Sequence, residues 1–219
     1  DELAALADYS AAIDLLPDAA VYRVPRGTTY LARGDFARAA DDLGTALDSM
    51  TDDLLPPGDY GARDDIWLDE LPAPGDHLAA AQYTALVRDL PRPFWVYYQR
   101  GLAWAGLEDY ERAIADFSVV IDELEPTFYD AHYQRGLAYL ARGELDRAAA
   151  DFRQVLALDP WHAAAELGLG DIAFQQGAYH TALDHYVRYL DLTGAHTGRV
   201  ALRCVQIPLA RVGIMPLGG

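Results

Sequence analysis

Apolar residues in this chain recur every three or four positions in short runs, each broken by a polar turn and then resumed, the pattern of helices burying one face. Two stretches show it most plainly: residues 98–117 read YQRGLAWAGLEDYERAIADF and residues 133–152 read YQRGLAYLARGELDRAAADF. Each opens with a run of helical spacing around a glycine, crosses a polar turn, and continues with a second run that ends in an aspartate and a phenylalanine. The pattern predicts a pair of antiparallel helices, written twice.

Aligning glycines extends the repeat along the chain. Gly136 and Gly170 lie 34 positions apart, Gly101 and Gly136 lie 35 apart, and Gly27 precedes Gly101 by 74, which is 34 with a remainder of 40. A period near 34 predicts repeats at 20–53, 94–128, 129–162 and 163–196. Small residues recur where two helices must approach: Gly27, Gly101, Gly136 and Gly170 in the first helix, Ala39, Ala113, Ala148 and Ala182 in the second. Leu43, Phe117, Phe152 and Tyr186 recur as the large partners, so knobs face holes within each hairpin. Gly34, Gly143 and Gly177 mark the turn, where a left-handed residue ends the first helix. Counted back from Pro17, Ala5, Tyr9, Ala12 and Ile13 fall as the second helix of a further repeat would place them. Residues 1–19 are therefore expected to form a half repeat, either a cap or the remainder of an upstream repeat.

Two segments break the rhythm. Residues 54–93 begin LLPPGDYGARDDIWLDELPAPGD and then place Leu78, Ala81, Leu86, Val87 and Leu90 at helical spacing, which predicts a loop followed by one helix. Ile66, Trp67 and Leu68, set among acids, read either as a short packed helix or as a hook for a partner. In residues 197–219, Arg203 and Cys204 repeat the arginine and small residue of a first helix, predicting a capping helix over 197–207. Past Pro208 runs an apolar tail that either docks back or inserts into another subunit.

The combined period, glycine, alanine and proline positions resemble the tetratricopeptide repeat family, in its bacterial form written RGxAY…AxxDF, over about four-fifths of the chain. The resemblance implies an all-α, right-handed solenoid of antiparallel helix hairpins that binds proteins. Three departures stand out: Leu107 and Glu108 replace the turn glycine, Ala173 replaces an aromatic, and Pro25 falls inside a first helix, where it predicts a late start or a kink.

Each hairpin also carries charges at matched heights. In a hairpin folded at its fifteenth residue, the seventh and twenty-third are level, and these are Arg26 with Asp42, Arg100 with Asp116, and Arg135 with Asp151. The fourth repeat has Leu169 and His185 there, so both charges disappear together. Joint loss is what a structural ion pair predicts, because stranding one buried partner costs about 3–5 kcal/mol. A ligand-binding arginine is the alternative.

Composition narrows the chemistry. With 34 acidic and 17 basic residues the formal charge is −17, which opposes the counterion release on which nucleic-acid binding depends. Every basic residue is arginine, so a Walker-type phosphate loop, a Schiff-base nucleophile and a pyridoxal attachment all lack their lysine. Cys204 is alone, and Ser10, Ser49 and Ser118 sit in no nucleophile elbow. His180 and His185 are five apart on one helix and diverge, so no metal is expected. No cofactor or catalytic residue is expected, and the tail, interrupted by Arg203 and Arg211, is too short in apolar run to span a bilayer.

What remains is recognition. The family's concave surface is lined by first helices, which implies groove contacts at Trp95, Tyr98, Gln99 and Leu102, at Tyr133, Gln134, Leu137 and Leu140, and at Leu167, Asp171 and Phe174. Some of these aromatics could instead fill gaps between repeats. The family's lysine and asparagine clamp for C-terminal carboxylates is missing, since Val24, Thr28, Gln99, Asp130 and Gln134 hold those places. The expectation is an adaptor that binds a peptide or partner protein; the alternative is a structural subunit held in a larger assembly by its insertion, acidic face and tail.

Overall fold

The computed structural model describes residues 2–17, 19–50 and 93–194. The loop and helix expected over 54–93, except Pro93, the hook at Ile66 to Leu68, the capping helix around Cys204 and the apolar tail lie outside them. All regular structure among the described residues is helical: α1 (Glu2–Leu15), α2 (Ala20–Ala32), α3 (Phe36–Ser49), α4 (Pro93–Gly106), α5 (Tyr110–Val119) with a π turn at Val120–Leu124, α6 (Tyr129–Ala141), α7 (Leu145–Leu158), α8 (Ala163–Gln175) and α9 (Tyr179–Thr193). They fall into two compact parts, Asp1–Pro126 and Thr127–Gly219.

Local sequence sets the helix ends. Gly34, Gly143 and Gly177 close α2, α6 and α8 with φ of 76°, 75° and 75°. Asp35 and Asp109 then cap the next helix by accepting from the backbone N–H of Arg38 and Arg112 at 3.3 and 3.2 Å. Glu108 closes α4 in the same left-handed conformation, at φ 61°. α2 starts at Ala20, ahead of Pro25, so the late start expected from that proline does not occur.

The hairpins close through glycine on one helix and a large side chain on the other. A Cβ placed on Gly101 would stand 2.6 Å from the ring of Phe117, and one on Gly136 or Gly170 would stand 2.8 Å from Phe152 or 2.5 Å from Tyr186. Gly27 faces Leu43 in the same way, at 2.9 Å. Phe117, Phe152, Leu43 and Tyr186 are all completely buried. Full burial of one such side chain contributes about 1.5–3 kcal/mol.

In the N-terminal part, α1 packs on α2, α2 on α3, and α3 directly on α4. Leu43 and Ala46 of α3 share a core with Val96 of α4, Ala39 and Ala40 pack with Ala103, and the ring of Phe36 covers Gly106. α3 and α4 therefore meet as neighbouring repeats do, although residues 51–92 separate them in sequence. The 35-residue spacing between Gly101 and Gly136 also has a local reason: Glu125 N–H donates to the carbonyl of Val120 at 2.7 Å, a wide turn that absorbs one extra residue without breaking the helix.

In the C-terminal part, α6 pairs with α7 and α8 with α9, while α7 packs on α8. Its core joins Ala148, Ala149, Phe152 and Val155 of α7 to Ala165, Leu169 and Ile172 of α8. Phe152 is held between two glycines, because a Cβ on Gly168 of α8 would stand 2.5 Å from its other edge.

Candidate functional site

Two kinds of feature compete for a functional reading: the arginines in the hairpins and the outward faces of the first helices. The arginines are held from within. Arg26 donates twice to Asp42, at 2.7 and 2.7 Å, Arg100 twice to Asp116, at 2.8 and 2.7 Å, and Arg135 twice to Asp151, at 2.9 and 2.8 Å. Each is a two-pronged guanidinium–carboxylate bond, with the carboxylate buried. The hydrogen bond to Asp42 raises the Arg26 pKa and that to Asp116 raises the Arg100 pKa, against the opposing pull of burial. Burial pushes the Asp151 carboxyl up, but hydrogen bonds from His132 and Arg135 and their charges outweigh it and hold it below the ordinary aspartate value. Arginines engaged on both prongs are poorly placed to clamp a ligand.

The same geometry recruits residues that the matched-height argument does not single out. Arg23 reaches Asp42 at 3.2 Å and His132 reaches Asp151 at 3.4 Å, each from a position one turn before the paired arginine. In the fourth hairpin that position is Glu166, and its carboxylate meets His185 Nδ1 at 2.6 Å and Arg188 at 3.6 Å. The hairpin that lacks the arginine and aspartate thus keeps a cross-helix pair with the acid moved to the first helix. His185 is accounted for by this contact, and His180 is exposed.

The first-helix faces divide differently from the sequence expectation. Tyr98 and Gln99 are buried, at 8% and 7% exposure, and do not line an open groove. The Tyr98 ring lies 5.9 Å from that of Phe117 and 5.5 Å from that of Trp95, so it fills the space beside the hairpin core. Trp95 and Leu102 are half-buried on the same helix. On α6, Tyr133, Gln134 and Leu140 are half-buried and Leu137 is 37% exposed. The Tyr133 ring lies 5.7 Å from Phe152, and burial raises its hydroxyl pKa. On α8, Leu167 and Phe174 are half-buried, Phe174 meets Tyr179 at 5.6 Å, and Asp171 accepts from the Tyr186 hydroxyl at 2.9 Å.

One end of this C-terminal face is more aromatic than the spacing suggests. His162 caps α8, its Nδ1 accepting from Ala165 N–H at 3.1 Å, and its ring lies 4.8 Å from Tyr133 and 5.8 Å from Tyr129. Tyr129 is 38% exposed, and Trp161, in the turn that leads into α8, is 77% exposed. Asp130 stands in the first turn of α6, and burial raises its carboxyl pKa, with the charge of His162 opposing. Neither Trp161 nor His162 shares a repeat position with a groove residue, which is why helical spacing alone passes over them.

Comparison with known proteins accords with this geometry. The family model for the tetratricopeptide repeat matches residues 133–196. No curated protein sequence matches the chain significantly. Among solved structures, the chain is similar to YrrB, described as a TPR protein with an unusual peptide-binding site, at 20% identity and a TM-score of 0.65, over 92% of this chain and 81% of that one. It is similar to MamA from Desulfovibrio magneticus RS-1 at 16% identity and a TM-score of 0.59, over 83% and 79%. It is also similar to the first TPR of Spaghetti (RPAP3), solved with the HSP90 peptide SRMEEVD, at 20% identity and a TM-score of 0.51, over 54% of this chain and 93% of that one.

Proposed function

We propose, from the match of residues 133–196 to the tetratricopeptide repeat model and the likeness of the fold to solved proteins of that kind, that the protein is a non-enzymatic adaptor binding a peptide segment of a partner on its first helices. The observation that carries the proposal is the outward face of α6. Leu137, at 37% exposure, leaves apolar surface one turn from the amide of Gln134, and Tyr129, at 38%, adds an aromatic at the start of the helix, a combination that suits a partner backbone and its side chains. Asp171 and Phe174 of α8 extend that face, and Trp95 and Leu102 of α4 offer a similar surface in the N-terminal part. YrrB, with its unusual peptide-binding site, and the first TPR of Spaghetti (RPAP3), bound to an HSP90 peptide, support the reading.

The test begins with isolation of native complexes and identification of the companion by mass spectrometry. Replacing Gln134 and Leu137 together by alanine then weakens binding of that companion at least about tenfold, the loss expected when two central contacts go. Unchanged affinity would remove the α6 face from the proposal.

A second reading, a subunit fixed in a larger assembly, is favoured by α1 and the residue after it, where Leu3, Leu15 and Leu16 are 61%, 74% and 50% exposed. Size-exclusion chromatography separates the two: a stable monomer supports the adaptor, and aggregation relieved only by a companion supports the subunit.

A further inference from the structure

The end of the first-helix face formed by Tyr129, Asp130, Tyr133 and His162, with exposed Trp161 next to His162 in the sequence, has a chemistry of its own. α6 and α8 carry one arginine between them, Arg135, and it is tied to Asp151. The other arginines described in this part, Arg142, Arg147, Arg153 and Arg188, belong to the hairpin turn or to the second helices α7 and α9. Among the described residues no arginine pairs with Asp130; the neighbour that acts on its charge is His162. The His162 ring, whose Nδ1 accepts from Ala165 N–H, joins Tyr129 and Tyr133 as an aromatic surface. A half-buried carboxylate with no arginine partner thus stands in the first turn of α6, one turn from Tyr133, in a chain whose formal charge is −17.

We propose that this end of the face receives a guanidinium or ammonium group, and that the segment bound by the protein is a basic, extended peptide. The proposal rests on the peptide-binding reading above and narrows it to a cationic partner. A cation seated over a tyrosine, histidine or tryptophan face is attracted by the ring quadrupole, and Asp130 adds the opposing charge, so the same group is held twice. An acidic segment such as SRMEEVD, bound by Spaghetti (RPAP3), would meet Asp130 and Asp171 here and no unengaged cation on α6 or α8. The long-range field of the chain adds to the rate of encounter with a basic segment.

The test uses the full chain and three fluorescein-labelled nonapeptides of alternating glycine, alanine and one variable residue: arginine, serine or glutamate. Fluorescence anisotropy is expected to show the arginine peptide bound most tightly. Asp130→Asn and Trp161→Ala should each weaken it by at least about fivefold, the loss of one cation contact, while Asp184→Asn on the exposed side of α9 leaves it unchanged. Trp161 is exposed enough that folding is not at stake, and a thermal melt verifies the same for Asp130→Asn.

Equal weakening by Asp184→Asn would reveal diffuse attraction to the acidic body and overturn the proposal. So would absence of binding by all three peptides. Serine-peptide binding as tight as that of the arginine peptide, lost with Leu137→Ala, would overturn the cationic partner and keep the peptide-binding face. Binding indifferent to Asp130, Trp161 and Leu137 alike would overturn both.

Discussion

Glu166 on α8 and His185 on α9 meet at 2.6 Å, and so reverse the polarity of the hairpin pair that Arg135 and Asp151 make on α6 and α7. The two solutions differ in what happens when the acid is removed. A guanidinium stays charged whatever surrounds it, whereas an imidazole can shed its proton. Asp151→Leu, which removes the buried carboxylate that Arg135 and His132 both reach, is expected to cost about 3–5 kcal/mol. Glu166→Gln, which keeps an amide able to hydrogen-bond His185 in place of the carboxylate, should cost about 1–2 kcal/mol. Urea unfolding of the two variants measures both values, and a larger loss from Glu166→Gln would contradict the argument.

Asp151 also gives the fold a definite acid response. Its carboxyl is held below the ordinary aspartate value in the folded chain, so the unfolded chain binds the proton more readily. The stability from this group is complete above the unfolded-state value, near 3.9 for an ordinary aspartate, and is lost as the pH falls through the lower folded value. Denaturation followed against pH should show a loss on the acid side that is absent from Asp151→Asn. That variant is less stable at neutral pH and approaches the parent as acid removes the difference.

Phe152 is gripped between Gly136 of α6 and Gly168 of α8 in the C-terminal part. A methyl at position 168 would stand 2.5 Å from Phe152 Cε2, inside any real contact distance, and the ring is wholly buried with nowhere to move. Gly168→Ala is therefore expected to destabilise by about 1–3 kcal/mol through overpacking, despite the better helix propensity of alanine. Thermal unfolding should show the drop, and an unchanged midpoint would mean that the helices can separate freely.

The opposition of glycine and ring was legible in the sequence because both sides of the contact repeat: Gly101 with Phe117 and Gly136 with Phe152 announce themselves by spacing. The arginine–aspartate contacts were legible for the same reason, as two positions level across a turn. Glu166 was not, although Arg23 and His132 occupy the same repeat position and also face the second-helix acid. Pairing read from level positions alone overlooks a side chain one turn away that reaches the same carboxylate. Tyr98 and Gln99 fail for another reason. Helical spacing assigns a residue to a face, but whether that face is open depends on what packs over it, and here the Phe117 and Trp95 rings accompany Tyr98 in a closed cluster.

Glu108 offers the cleanest separation of backbone strain from packing. Three hairpin turns use Gly34, Gly143 and Gly177 at φ of 76°, 75° and 75°, and the fourth forces Glu108 to φ 61°. A side chain in the left-handed region costs about 1–2 kcal/mol, and part of that is returned because glycine has more backbone freedom to lose on folding. Glu108→Gly is therefore expected to stabilise by about 0.5–1 kcal/mol, read as a higher urea midpoint with an unchanged slope. The converse substitution isolates the cause. Nothing lies within 4 Å of a Cβ built on Gly143, so Gly143→Ala meets no steric clash with neighbours and any loss of stability reports the backbone alone. If Gly143→Ala were neutral, left-handed strain at these turns would be too small to explain a gain at Glu108, and the gain would have to come from removing a negative charge at an already acidic turn beside Asp109 and Glu111.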